Sequence, residues 1–250
     1  MNFKKNIPTV IRQFFLIYVT VLLIFTIFRG ILFCTELARV TTDISTHDII
    51  KSFLMGIRFD LVISGYVLIF PFLISSILSF FKKPFPIVNE ILFYFIFVLF
   101  SITFCVCAID IPYFNQFFSR FTITGFEWLD NPAFVFKMIV EEPRYWFMAV
   151  PCLLFIFLFY KILRKILANC TESSTLPIAA KIGIYVLCFG LIFLGIRGRI
   201  EKKSPIRVGT AYFSNNPFLN QLGLNPNFTL IRSFLDSKEE RNKTVQLLPD

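Results

Sequence analysis

The sequence predicts an all-α integral membrane protein, a five-helix transmembrane bundle with interfacial and juxtamembrane helices. Three observations predict it. Of the 250 residues, 56% are hydrophobic, and the mean hydropathy is +0.71. The apolar residues gather in five runs near 14–34, 59–80, 91–111, 145–160 and 178–196, each roughly the 20 residues that a helix needs to cross a hydrocarbon core. The Lys and Arg residues sit in short clusters flanking those runs. In lipid the backbone must satisfy its own hydrogen bonds, so runs of this kind form helices rather than open strands.

The first run follows Lys4, Lys5 and Arg12. It is longer than the core of a cleaved signal peptide and has no small-residue cleavage site after it, so it reads as a signal anchor. The second run contains Pro71 and the fourth Pro151, each expected to kink its helix. Ser75 and Ser79 in the second, and Ala179, Gly183 and Gly190 in the fifth, are spaced for close helix approach.

Between the third and fourth runs, residues 112–144 hold nine Phe, Tyr and Trp residues broken by charges and Pro. Short interfacial helices are expected there, with the aromatic rings at headgroup depth. Phe134, Lys137, Met138 and Glu141 outline one such helix after the turn Asp130-Asn131-Pro132. Residues 198–250 read as a juxtamembrane linker with two short helices. Asn216 before Pro217 and Asn225 before Pro226 are their N-caps, and Phe228, Ile231, Phe234 and Leu235 form an apolar face on the second.

Charge sets the expected topology. Lys and Arg are denser in the N-terminal segment, around Lys82 and Lys83, and around Lys161, Arg164 and Lys165. This places the N-terminus in the cytoplasm and, after five spans, the tail outside. The basic tail, with Arg197, Arg199, Lys202, Lys203 and Arg207, pulls the other way. The net charge of +9 does not indicate nucleic acid, because the cations flank spans and form no stripe on a soluble face.

No Walker loop, Rossmann glycine pattern, zinc spacing or Ser-His-Asp set occurs, and the chain has a single His. No catalytic or metal-ligating residue is therefore expected. The local clue is ionic. Arg29 lies late in the first span, Arg58 and Asp60 open the second, Asp110 closes the third and Arg197 closes the fifth. Alternating helices bring all five to one side. A charge at membrane depth pairs or faces water. Two arrangements satisfy that requirement: structural Arg–Asp pairing across the bundle, or a polar pocket whose arginines grip a lipid phosphate while Asp60 and Asp110 orient them.

Four segments carry a family resemblance: MGIRFDL at 55–61, AIDIPYFNQFFSRFT at 108–122, the run at 195–207, and SPIRVGTAYFSNNPFLNQLGLNPNFTLIRSF at 204–234. In this order and spacing they resemble the N-terminal membrane part of lipoteichoic acid synthase-like proteins, of the alkaline phosphatase/sulfatase superfamily. The resemblance implies five membrane helices, linker helices and an extracytoplasmic sulfatase-like domain. It implies transfer of phosphoglycerol or a related phospho-headgroup from a membrane phospholipid to an envelope glycan or lipid. It also implies a Thr nucleophile and a divalent, manganese-like metal in that catalytic domain, which is expected to begin about where this sequence ends. The partners implied are a membrane phospholipid and a catalytic domain, either continuous with the chain or separately encoded. The location implied is the bacterial inner membrane. A stand-alone transporter or channel, and a non-catalytic membrane scaffold, are the competing readings.

Overall fold

A computed structural model of the chain describes residues 7–39, 45–81, 85–130, 137, 140–141, 143–168, 176–199, 201–202 and 204–239. Five helices are long and apolar enough to cross a membrane: α1 Thr9–Thr35, α2 Thr46–Leu78, α3 Pro86–Phe117, α4 Pro143–Leu167 and α5 Ile178–Arg197. With two short helices in the tail, α6 Pro217–Leu222 and α7 Pro226–Lys238, they make an all-helical, multi-pass membrane bundle.

The helices alternate in direction. At one end, where the C-terminal residues follow α5, the last third of α1 meets the first half of α2 through Arg29 and Asp60, and Arg58 of α2 meets Gly198 just after α5. We call this the tail end. At the other end Gln13 of α1 donates to the Ile166 carbonyl of α4 (3.1 Å), Lys181 of α5 to the Ser79 carbonyl (2.8 Å), and Arg164 of α4 to Glu90 of α3 (2.6 Å). Lys181 is thereby almost fully buried, with its ammonium also over the Phe80 and Tyr185 rings, rather than reaching out to the headgroups.

The core is aromatic. Phe25, Phe28, Phe100, Phe104, Phe155 and Phe159 interlock across α1, α3 and α4, mostly edge to face with centroids 5.1–6.5 Å apart. Rings in this geometry attract beyond their contact area. Burial is uneven. Half of the most apolar stretch of α2 is buried against protein but only 11% of that of α5, so α5 flanks α2 at the edge of the bundle.

Several expectations need correction. α2 begins at Thr46, not at 59, because Ser45 accepts the His47 backbone N–H and caps a polar first turn. At 33 residues α2 is about 50 Å long, well beyond the roughly 30 Å of a hydrocarbon core. α3 runs through Pro112 to Phe117 and ends on Phe118 in the left-handed conformation, φ 59°, so the first residues assigned to the interfacial segment are transmembrane-helix residues. Gly183 and Gly190 make no close approach, since a Cβ at either would meet nothing within 4 Å. The close approaches are on α2, where a Cβ at Gly56 would fall 2.2 Å from the Arg29 guanidinium carbon and one at Gly65 2.6 Å from Ile196.

In the connecting segment, residues 123–130 form a 3-10 turn. Of the amphipathic helix expected around Phe134–Glu141, Phe134 and Met138 lie outside the described residues, and Lys137 and Glu141 face each other at 3.7 Å. In the tail, Asn216 and Asn225 cap α6 and α7 as expected, accepting from the backbone N–H groups of Leu219 and Asn227. The apolar face expected on α7 does not pack on the bundle as a whole. Phe228 is buried, but Ile231, Phe234 and Leu235 are exposed, and α7 inserts by its first turn instead, Pro226–Thr229.

Candidate functional site

Two buried ion pairs close the tail end. Arg29, from the last third of α1, reaches Asp60 of α2 with both terminal nitrogens, Nη1 to Oδ2 at 2.9 Å and Nη2 to Oδ1 at 2.8 Å. Gly56, one turn before Asp60, leaves the space that the guanidinium fills. The second pair joins Asp110 of α3 to Arg120, which lies beyond the end of that helix. All four side chains are at most 5% exposed.

The other polar atoms of these pairs bind mostly the tail. Arg29 Nε donates to the Leu222 carbonyl at 3.1 Å. Arg120 donates from Nε to Gln221 at 2.8 Å, and from Nη2 to Leu222 at 3.1 Å and Leu224 at 2.9 Å. Gln221 and Leu222 are in the last turn of α6, whose carbonyls lack α-helical partners and where cations are favoured by the helix dipole, and Leu224 lies just beyond it. Asp60 Oδ1 also accepts from Asn225 Nδ2 at 2.8 Å, and Asp110 Oδ1 from the Phe121 backbone N–H at 2.7 Å. Asn227 donates to the Thr103 carbonyl, Thr229 to the Phe121 carbonyl, and Ser233 accepts from the Ile123 N–H. The tail is thus fastened to α1, α2, α3 and the 3-10 turn at once. The void left between the pairs is about 10 Å³, no more than a single water requires, about 10–15 Å³.

The other predicted cations lie elsewhere. Arg58 points away from Asp60, as residues two apart on a helix do. Its Nη2 donates to the Gly198 carbonyl at 2.9 Å, and Nη1 lies 3.7 Å from Met55 Sδ. Gly198 ends α5 with φ +65°, and a Cβ there would strike Ile206 at 2.8 Å, so this turn requires glycine. Arg58 lines an open groove of about 770 Å³ between the first half of α2 and the tail-end terminus of α5, with Arg199, Glu201 and Thr210 at its polar part and Leu61, Leu191 and Leu194 at its apolar part. Arg199 Nη2 donates to Thr210 Oγ1 at 2.6 Å. Arg197, next to the groove, donates to the Glu201 carbonyl at 3.0 Å.

The five predicted residues therefore divide. Arg29, Asp60 and Asp110 meet in the closed knot under the tail, Arg58 stands in the groove, and Arg197 lies beside it. Sequence reasoning missed Arg120 and Arg199. Arg120 carried a usable signal, a lone cation between Phe118 and Phe121 in an aromatic segment, ten residues from an Asp at membrane depth. Among the described residues no three His, Cys, Asp or Glu side chains gather as a metal site. No family model, curated protein or solved structure matches the chain.

Proposed function

We propose that this chain is the membrane anchor and lipid-donor-binding module of a phospholipid headgroup transferase resembling the lipoteichoic acid synthase-like family. In this reading it lies in a bacterial inner membrane with its tail on the extracytoplasmic side. The transferred group is phosphoglycerol or a related phospho-headgroup, destined for an envelope glycan or lipid. The Thr nucleophile and the manganese-like metal of such an enzyme belong to a sulfatase-like domain outside this sequence.

One observation carries the reading. The tail does not leave the bundle as a loose tether but is fastened over its end by Arg29, Asp60, Asp110 and Arg120, beside an open cationic groove. An anchor that only retained a domain at the membrane would need none of these buried contacts. An anchor that presents a lipid to a catalytic domain needs the tail held in a fixed place next to the lipid. The transporter alternative is less favoured, because the buried ion pairs cluster at one end of the bundle rather than at mid-span, where coupled transport sites form.

Two measurements test the reading. Cells with labelled phospholipid headgroups should lose transfer of label to the envelope glycan or lipid fraction when this gene is deleted, and regain it on complementation. Undiminished transfer of every headgroup would overturn the proposal. A topology reporter fused after Lys238 should give an extracytoplasmic signal. A cytoplasmic signal would move the groove to the inner leaflet, away from envelope acceptors.

A further inference from the structure

We propose that the groove between α2 and α5 binds the phosphodiester of one membrane phospholipid, with Arg58 and Arg199 on the phosphate and Leu61, Leu191 and Leu194 along an acyl chain. This rests on the donor-binding reading above and narrows it to one place on the molecule.

The two guanidiniums have donors to spare. Arg58 spends one strong bond on Gly198 and Arg199 one on Thr210, whereas a guanidinium carries five N–H donors. Among the described residues neither has a carboxylate partner. The charged lining is two arginines against the single carboxylate of Glu201, so the groove favours an anion. Planar guanidinium forks match phosphate oxygens in pairs.

Depth supplies the second half of the argument. Arg58 and Gly198 mark the mouth. Leu61 lies three residues further into α2, and Leu194 and Leu191 lie four and seven residues back along α5. At the helical rise these are about 4.5, 6 and 10.5 Å deeper. The groove thus changes from cationic to apolar along the membrane normal, in the order of a phospholipid's own headgroup and chain. Leu191 and Leu194 are 58% and 38% exposed, so the apolar part opens sideways to lipid. The groove's 770 Å³ falls within the range of small-molecule sites, about 300–1,000 Å³. The Arg58–Gly198 bond and the tight turn over Ile206 hold the mouth in shape before any ligand arrives. A soluble phosphodiester offers the same charge, but only a lipid uses the leucine wall.

The test is native mass spectrometry of the full chain released from detergent, with three probes added at equal concentration: phosphatidylglycerol, diacylglycerol and glycerophosphoglycerol. The expected result is one retained phosphatidylglycerol, with the phosphate-free lipid and the chain-free diester each held at least about tenfold less. Arg199→Gln, whose bond is to the tail and not to another membrane helix, should reduce retention about tenfold. Arg58→Gln should do the same, and Arg232→Gln on α7 should leave it unchanged. Thermal unfolding of each variant in the same detergent identifies any loss of fold, and Arg199→Gln carries the test if Arg58→Gln unfolds. Equal retention by Arg199→Gln, or of diacylglycerol, would mean unspecific lipid and overturn the proposal. Equal retention of glycerophosphoglycerol would overturn it in favour of a soluble phosphate ester. The assay involves no transfer. Binding with transfer undiminished in the gene deletion would keep the groove and remove the transferase reading, and the reverse result would do the opposite.

Discussion

Arg29 and Arg120 differ from Arg58 and Arg199 in what surrounds them. The first two are buried, each faces a carboxylate, and their other donors end on carbonyls of the tail. The second two are half-exposed, have no carboxylate partner among the described residues, and line open space. A buried charge is tolerated only when paired and hydrogen-bonded. The knot is therefore architecture, because every side-chain nitrogen and oxygen of its four residues already binds the protein. The groove keeps its donors because its arginines are half-exposed, where solvent satisfies a charge without a buried partner. One residue type is spent on buried pairing in one place and keeps open donors in the other, and the neighbours decide which.

The largest effect should follow from breaking the knot on one side. Asp110→Ala leaves Arg120 charged and buried, and should cost about 3–5 kcal/mol of stability, read as a lowered unfolding midpoint in detergent. Arg58→Ala should cost far less, and a loss equal to that of Asp110→Ala would erase the distinction between the two regions.

Next in size is a partial recovery. Replacing Arg29 and Asp60 together by Leu should cost less than replacing Asp60 alone, because no unpaired charge is left behind. The tail would nevertheless lose its bonds from Arg29 to Leu222 and from Asn225 to Asp60. Limited proteolysis after α5 should therefore accelerate in the double variant even where the bundle stays folded. A tail that remains protected would assign its docking to Arg120 and to the α7 contacts of Asn227, Thr229 and Ser233.

Gly56→Ala tests the space in which the guanidinium lies. Its Cβ would fall 2.2 Å from Arg29 Cζ, so the ion pair must shift, at about 1–3 kcal/mol as for other overpacked sites. Gly183→Ala, with nothing within 4 Å of the new methyl, should be neutral or raise the midpoint slightly. The smallest loss of stability belongs to Thr229→Val, which removes the buried hydroxyl's bonds to the Phe121 and Pro226 carbonyls, about 1 kcal/mol.

The sequence by itself determined the five spans, their alternation, the caps of both tail helices and the gathering of charges at one end. These follow from local rules: the length of an apolar run against the thickness of a bilayer, Asn before Pro at a helix start, and the cost of a charge in lipid. It underestimated the lengths of α2, α3 and α4, the last running over Pro143–Leu167 rather than 145–160, because hydropathy marks where lipid begins and not where helical hydrogen bonding stops.

Only the tertiary structure decided the partners. Asp60 has Arg58 two residues away in sequence, yet pairs with Arg29 on another helix, because residues two apart on a helix do not face each other. Asp110 pairs with Arg120, ten residues on, because α3 ends on the left-handed Phe118 and turns the chain back toward the carboxylate. The docking of α6 was not legible at all. Its end carbonyls carry no sequence signal, and any cation would satisfy them. That Arg29 and Arg120 do so, while Arg58 and Arg199 line a groove, depends on where the helices place each guanidinium relative to water.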